Sequence, residues 1–223
     1  MPHIKIARKS TATDMTPFVD IAFLILSFFI MATKFKPDEP IKVTTPNSVS
    51  SMILEENNAL LITIDKQNKV YININSKDKT QQGDVLDRVI QGLNASRNLG
   101  LSPAQMANFK SVPIVGVPFA QLKNFLDMPT SQQGAVSQPG IPVLDSTNNE
   151  LVWWVSETKK AFAGQKLIYM IKGDNDSKYP TFEGVINALR KNEEFKYDLI
   201  TAQEGAPVGT ELYQERLEGR SKK

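Results

Sequence analysis

The longest hydrophobic run in the chain lies near its N-terminus, where residues 17–33 read PFVDIAFLILSFFIMAT. Only Asp20, Ser27 and Thr33 interrupt this run with polar side chains. A helix over the run is roughly 25 Å long at about 1.5 Å per residue, close to the bilayer hydrocarbon thickness of about 30 Å. The pattern therefore predicts a single transmembrane helix over residues 16–35.

The residues before this run predict where the helix begins and which way it points. Thr16 stands where an N-cap would, and Pro17 suits the first helical turn because its missing N–H leaves no hydrogen bond unmade. Basic residues outnumber acids over residues 1–15, so the positive-inside rule predicts a cytoplasmic tail and places the chain after residue 36 across the membrane. A cleaved signal peptide is the alternative, but the acid within the run and the lack of a small-residue cleavage site count against it.

The remainder of the chain reads as a linker followed by one folded domain. Residues 36–58 are rich in Pro, Thr, Asn and Ser, which is typical of an extended periplasmic linker, although its apolar residues could also add a strand to another chain. Hydrophobic periodicity then predicts strands over 60–65, 70–75, 167–171 and 197–201, and helices over 85–93, 151–162 and 182–189.

The order of these elements indicates an α+β domain over residues 59–213, with helices on one face of a small sheet. A long insertion at about 101–165 divides it, and six prolines between 101 and 147 predict irregular structure or short helices there. Residues 214–223 are expected to form a mobile tail. Of the adjacent Trp153 and Trp154, at least one is expected to anchor the core, although the pair could also present a docking surface.

Asp20 is the most informative residue in the sequence. A carboxylate within a bilayer costs roughly 2.5–3.5 kcal/mol, so it has to face protein or water rather than lipid. Lys34 lies fourteen residues further along, roughly 21 Å away at helical rise, so no basic residue of the same helix can pair with Asp20. Because apolar surroundings disfavour the charged form, we expect Asp20 to bind and release protons.

Thr16, Asp20 and Ser27 are spaced by four and seven residues, so they form one polar stripe along the helix. Two interpretations of the stripe stay open. It can belong to a proton pathway, or it can only hold helices together through hydrogen bonds worth about 0.6–2 kcal/mol each.

Composition and motif searches exclude several function classes. The chain has 26 basic and 24 acidic residues and a net charge of +2, so no nucleic-acid partner is expected. It has no cysteine, and its single histidine lies in the polar N-terminal tail, where catalysis is improbable.

Phosphate loops, nucleophile elbows, paired zinc histidines and EF-hand loops are absent from the sequence. Asp174 and Asp176 suit a turn better than a metal site. We therefore expect no enzyme activity, cofactor or metal.

Two segments resemble the ExbD/TolR family. Residues 14–24, DMTPFVDIAFL, are similar to the family's signature, in which a proline and an aspartate open the single transmembrane helix. Lys172, Gly173 and Asp174 with the following apolar residues resemble the strand and helix of its periplasmic domain. The resemblance covers residues 10–75 and 165–202 but not the insertion.

This resemblance implies a subunit of a proton-driven complex in the bacterial inner membrane. Asp20 would be the proton carrier, and a polytopic ExbB/TolQ-like protein would form a ring around a dimer of such helices. The periplasmic domain would contact a TonB-like or cell-wall partner, coupling proton passage to work on the envelope or on outer-membrane transport. The alternative is a membrane-tethered binding protein in which Asp20 is only a helix-association contact.

Overall fold

The computed structural model describes residues 15–32, 41–48, 58–133, 136–145 and 147–203. The chain divides into two compact units, Met1–Glu39 and Pro40–Lys223. The first contains helix α1, Thr16–Ala32, whose 17 residues begin at the predicted N-terminus of the apolar helix. The predicted continuation through residue 35 and the predicted tail at 214–223 lie outside the described residues. Within these described ranges no helix has both the length and the apolar character needed to cross a membrane.

The second unit contains six strands and six helices among its described residues. The strands are β1 (Asn47–Ser48), β2 (Asn58–Ile64), β3 (Val70–Asn75), β4 (Leu167–Gly173), β5 (Asp198–Ile200) and β6 (Ala202–Gln203). The helices are α2 (Gln82–Arg97), α3 (Pro103–Phe109), α4 (Phe119–Asp127), α5 (Thr130–Gln133), α6 (Leu151–Ala161) and α7 (Tyr179–Lys191).

Four strands form the main sheet in the order β3-β2-β4-β5. Strands β2 and β3 are an antiparallel hairpin whose turn places Asn68 at a φ of 64°, a left-handed conformation that asparagine tolerates. Strand β4 pairs with β2 and β5 in parallel. A separate two-stranded pair joins β1 to β6, also in parallel. The mixed α+β architecture with a small sheet is thus confirmed.

One hydrophobic core lies between the sheet and the helices. Leu60, Ile62 and Ile64 alternate along β2 and are fully buried, as the period of two in their sequence predicts. The buried side chains of α2, α6 and α7 pack into the same core. Helix α2 ends where Asn98 takes the left-handed conformation, which stops the helix.

The insertion folds into short helices that extend this core. Ser102 and Gln105 form a reciprocal capping box at the start of α3, and Glu150 accepts a hydrogen bond of 2.7 Å from the backbone N–H of Phe119 at the start of α4. Val115 exchanges two backbone hydrogen bonds with Ile72, of 2.7 and 2.9 Å, so the insertion closes the outer edge of β3.

Trp154 of α6 holds the helices of the insertion together. Its side chain is 0% exposed and lies against the rings of Phe109 and Phe119, with centroid distances of 5.9 and 5.8 Å. The neighbouring Trp153 is 36% exposed and lies 5.0 Å from the guanidinium of Arg97. One tryptophan of the pair is therefore the core anchor that the sequence predicted.

We expect Trp154→Ala to destabilise the domain by about 3–5 kcal/mol, because the substitution leaves a large cavity beside the rings of Phe109 and Phe119. The adjacent Trp153→Ala is the matched control and should cost at most about 1 kcal/mol, the scale of an exposed cation–π contact. Urea unfolding followed by far-UV circular dichroism measures both. Equal losses for the two variants would contradict the assigned role of Trp154.

Candidate functional site

The first candidate site is the polar stripe of α1. Thr16, Asp20 and Ser27 lie on one uninterrupted helix, within an arc of about 40° around its axis at 3.6 residues per turn. Asp20 is the single ionisable residue among the 17 residues of α1. Its role as a proton carrier stays a prediction.

The other side chains of α1 are apolar on all sides of the helix. Those described are exposed within the chain itself, from 51% for Ile25 to 84% for Met31. A helix that is hydrophobic around its whole circumference requires an apolar environment. The stripe is therefore the one polar feature on the otherwise apolar surface of α1.

A second polar cluster lies in the domain, at the carboxyl ends of the parallel strands β2 and β4. Asp65 follows β2 and Asp174 follows β4, and both side chains are 6% exposed. Because Ile64 pairs with Gly173, the two aspartates that follow these residues lie next to each other at the same end of the sheet.

Asp65 is held by three hydrogen bonds. Its carboxylate accepts the backbone N–H groups of Gln67 and Lys69, at 2.9 and 2.8 Å, and the hydroxyl of Tyr71 at 3.1 Å. Burial raises the pKa of Tyr71 well above its usual range, and the negative charge of Asp65 and the hydrogen bond to it act in the same direction.

Asp174 connects its own turn to the segment that precedes the domain. One carboxylate oxygen accepts the backbone N–H of Asp176 at 3.0 Å, and the other accepts that of Thr44 at 2.8 Å. These N–H groups, first that of Asp176 and then that of Thr44, hold the pKa of Asp174 below its usual range. Asp174 and Asp176 therefore form a turn, and no cluster of three or more metal-ligating side chains occurs in the described part of the chain.

We call residues 41–48 the strap. The strap lies across the carboxyl end of β4 and then along β6, where it forms β1. Ile41 and Lys42 of the strap help to line a cavity of about 520 Å³, most of whose other lining residues are polar: Asp65, Gln67, Lys69, Tyr71, Ile114, Val136, Ser137 and Gln138. The strap belongs to the segment that the sequence predicted as a linker.

The sequence interpretation selected Asp20, Thr16 and Ser27. It missed the cluster around Asp65 and Asp174 at the carboxyl ends of β2 and β4. An aspartate directly after a buried strand is a usable signal, and both Asp65 and Asp174 carry it. The contact from Thr44 to Asp174 spans 130 residues and involves a backbone N–H, for which the sequence gives no sign.

Comparison with known proteins gives one match. The family model described as biopolymer transport protein ExbD/TolR matches residues 7–204. No curated protein and no solved structure matches the chain.

We expect two of the five tyrosines, Tyr71 and Tyr169, to remain neutral until the domain unfolds. Burial raises the pKa of both phenols, and an unfolded tyrosine ionises near pH 10. The stability that depends on the neutral phenols is therefore complete below about pH 10 and is lost as the pH rises above that value. Tyrosinate absorbance during alkaline titration of the full chain should show a late phase that coincides with unfolding.

Tyr71→Phe should remove about half of this late absorbance change, and Tyr169→Phe should remove the other half. A single titration in which all tyrosines ionise together, before any loss of circular dichroism, would show that the two phenols are not buried as described.

Proposed function

The chain belongs to the ExbD/TolR family, and we propose that it is the subunit of a proton-motive-force-driven inner-membrane complex in which Asp20 carries the proton. The family is associated with the inner membrane and with energy transduction for biopolymer transport, and its members generally work with ExbB/TolQ-type partners. One observation supports a proton-carrying role: Asp20 is the single ionisable residue among the 17 residues of α1.

In this proposal α1 lies within the bilayer, with the N-terminus in the cytoplasm and residues 40–223 in the periplasm. At about 1.5 Å per residue its 17 residues measure roughly 25 Å, the short end of the range for spanning helices. A short span is accommodated by local thinning of the bilayer and by flanking lysines that extend toward the headgroups. Lys34 and Lys36 provide such flanks in the sequence.

An ExbB/TolQ-like ring protein and a second copy of α1 would supply the protein surface that an intramembrane carboxylate requires. Asp20 on a bare helix would face lipid, at a cost of roughly 2.5–3.5 kcal/mol. Between helices it can alternate between protonated and charged forms. Each charge that crosses a potential of 100 mV releases about 2.3 kcal/mol, and in this proposal that free energy is used for work by the periplasmic domain.

Asp20→Asn tests the proposal in vesicles that contain the full chain with its ring-forming partner. Proton conduction should fall to the level of vesicles without the complex, because an amide has no proton to release at accessible pH. Asp20→Glu keeps a carboxyl group and should retain part of the conduction. Dye-reported proton influx under an imposed potential measures all variants at matched assembly.

Ser27→Ala is the matched control, since it removes a second polar group from the stripe without removing an ionisable one. It should leave conduction within about twofold of the unmodified complex. If Asp20→Asn conducts normally, Asp20 is a helix-association contact, and the chain is then a membrane-tethered binding protein. Equal losses of assembly for Asp20→Asn and Ser27→Ala would support that same alternative.

A further inference from the structure

The cavity of about 520 Å³ beside Asp65 has the size of a small-molecule site, since ligand sites in proteins usually measure about 300–1,000 Å³. The β2–β3 hairpin supplies one wall, and the insertion supplies another through Ile114 and residues 136–138. The proposed function gives this cavity no role. Its chemistry can therefore be considered separately from that of Asp20.

Two glycines of the insertion shape the cavity. A Cβ atom on Gly116 would overlap the ring of Tyr71, and one on Gly140 would come within 2.9 Å of the Lys69 side chain. Because both Cβ atoms are missing, the backbone of the insertion packs directly against these two hairpin residues. The buried side chain of Gln138 accepts the N–H of Gly116 and fixes this arrangement. The positions of Tyr71 and Lys69 are thus set before any ligand binds.

The buried part of the cavity presents hydrogen-bond acceptors. The carboxylate of Asp65 accepts two backbone N–H groups at Oδ1 and the hydroxyl of Tyr71 at Oδ2. An ionised carboxylate has about four acceptor positions, so Oδ2 has room for one further donor. The hydroxyl of Tyr71 donates to Asp65 and can itself accept a hydrogen bond. A ligand group that fits here has to donate, and an ammonium group also complements the negative charge of Asp65.

Two lysines give the rest of the lining the opposite charge. Lys42 is exposed and Lys69 is half-buried, and the ammonium group of Lys69 donates to the hydroxyl of Ser137 at 3.5 Å. In the described part of the chain, neither lysine forms a salt bridge. A carboxylate that reaches them would therefore form charge-assisted hydrogen bonds without displacing an acid of the protein.

We propose that this cavity binds a compact zwitterion, whose ammonium group contacts the carboxylate of Asp65 and whose carboxylate contacts Lys69 and Lys42. A ligand with a single charge would complement one part of the lining and leave the other part without a partner. The ligand class includes free amino acids and short peptides, which differ in the distance between their two charged groups.

A series of amino acids with increasing distance between amine and carboxylate tests the proposal. Glycine, β-alanine, 4-aminobutyrate and 6-aminohexanoate are titrated calorimetrically into the full chain in lipid nanodiscs near neutral pH. One length should bind best, because the two charged parts of the cavity have a fixed separation. That probe should bind at least about tenfold more tightly than the amine or the carboxylate of the same length, since each lacks one charge-assisted contact.

The length that binds best also distinguishes the two sources of ligand. The strongest binding by glycine or β-alanine would indicate a free amino acid, and the strongest binding by 6-aminohexanoate would indicate a short peptide. Binding should also raise the thermal unfolding midpoint of the domain as the probe concentration increases.

Lys69→Gln removes the ammonium group but keeps the backbone N–H that Asp65 accepts. It should weaken binding of the best probe by at least about tenfold, the scale of one hydrogen bond to a charged group. Lys66→Gln is the matched control, because Lys66 lies in the same hairpin turn but does not line the cavity. It should leave the affinity within about twofold of that of the unmodified chain.

The proposal is overturned if none of the four probes binds at millimolar concentration, or if an amine or a carboxylate alone binds as tightly as the best zwitterion. Equal weakening by Lys69→Gln and Lys66→Gln would also overturn it, since binding would then reflect general attraction to surface charge. These outcomes are independent of proton conduction in the Asp20 variants, so failure of one proposal leaves the other standing.

Discussion

The parallel pairing of β2 with β4 is the constraint on which the rest of the domain depends. Parallel strands cannot be joined by a tight turn, so the chain has to cross from one end of the sheet to the other between them. The antiparallel strand β3 makes this crossing, since its last residue, Asn75, pairs with Ala59 at the start of β2. Residues 76–166 then connect the end of β3 to the start of β4 at that same end of the sheet and carry α2 through α6, including the insertion. The pairing of β2 with β4 also brings Asp65 and Asp174 together at the carboxyl ends of these strands, although they are more than a hundred residues apart in sequence.

The insertion is built onto the existing core instead of forming a core of its own. Its helices contribute Phe109, Leu122, Phe125 and Leu126, which pack in the same cluster as the sheet and α2. The ring of Trp154 on α6 contacts the rings of Phe109 on α3 and Phe119 on α4, so the stability of α3 and α4 is tied to that of α6. Residues 101–165 thus belong to the same compact unit as the sheet, without a second domain boundary inside residues 40–223.

Much of the fold could be predicted from local pattern. Val70–Asn75 has the predicted bounds because alternation and flanking turn residues both mark them. Helix α7 begins at Tyr179, three residues before its predicted start, because Pro180 is compatible with a first helical turn while the apolar spacing begins only at Phe182. Asp20 could be recognised as a candidate site residue because it is an ionisable residue within an apolar run. The strap could not be predicted, since its contacts are backbone hydrogen bonds to residues 130 or more positions away, which leave no periodicity in the sequence.

Closure of β3 by Val115 limits how the main sheet can grow. A sheet with two open edges can take a strand on each side and so propagate from molecule to molecule without end. With the β3 side occupied, the described sheet offers only its β5 side to a further strand. A strand pairing between two copies through that side would occupy the remaining open edge of both sheets, so it would give a closed pair and not a filament. The insertion thereby leaves the described main sheet with one open edge instead of two.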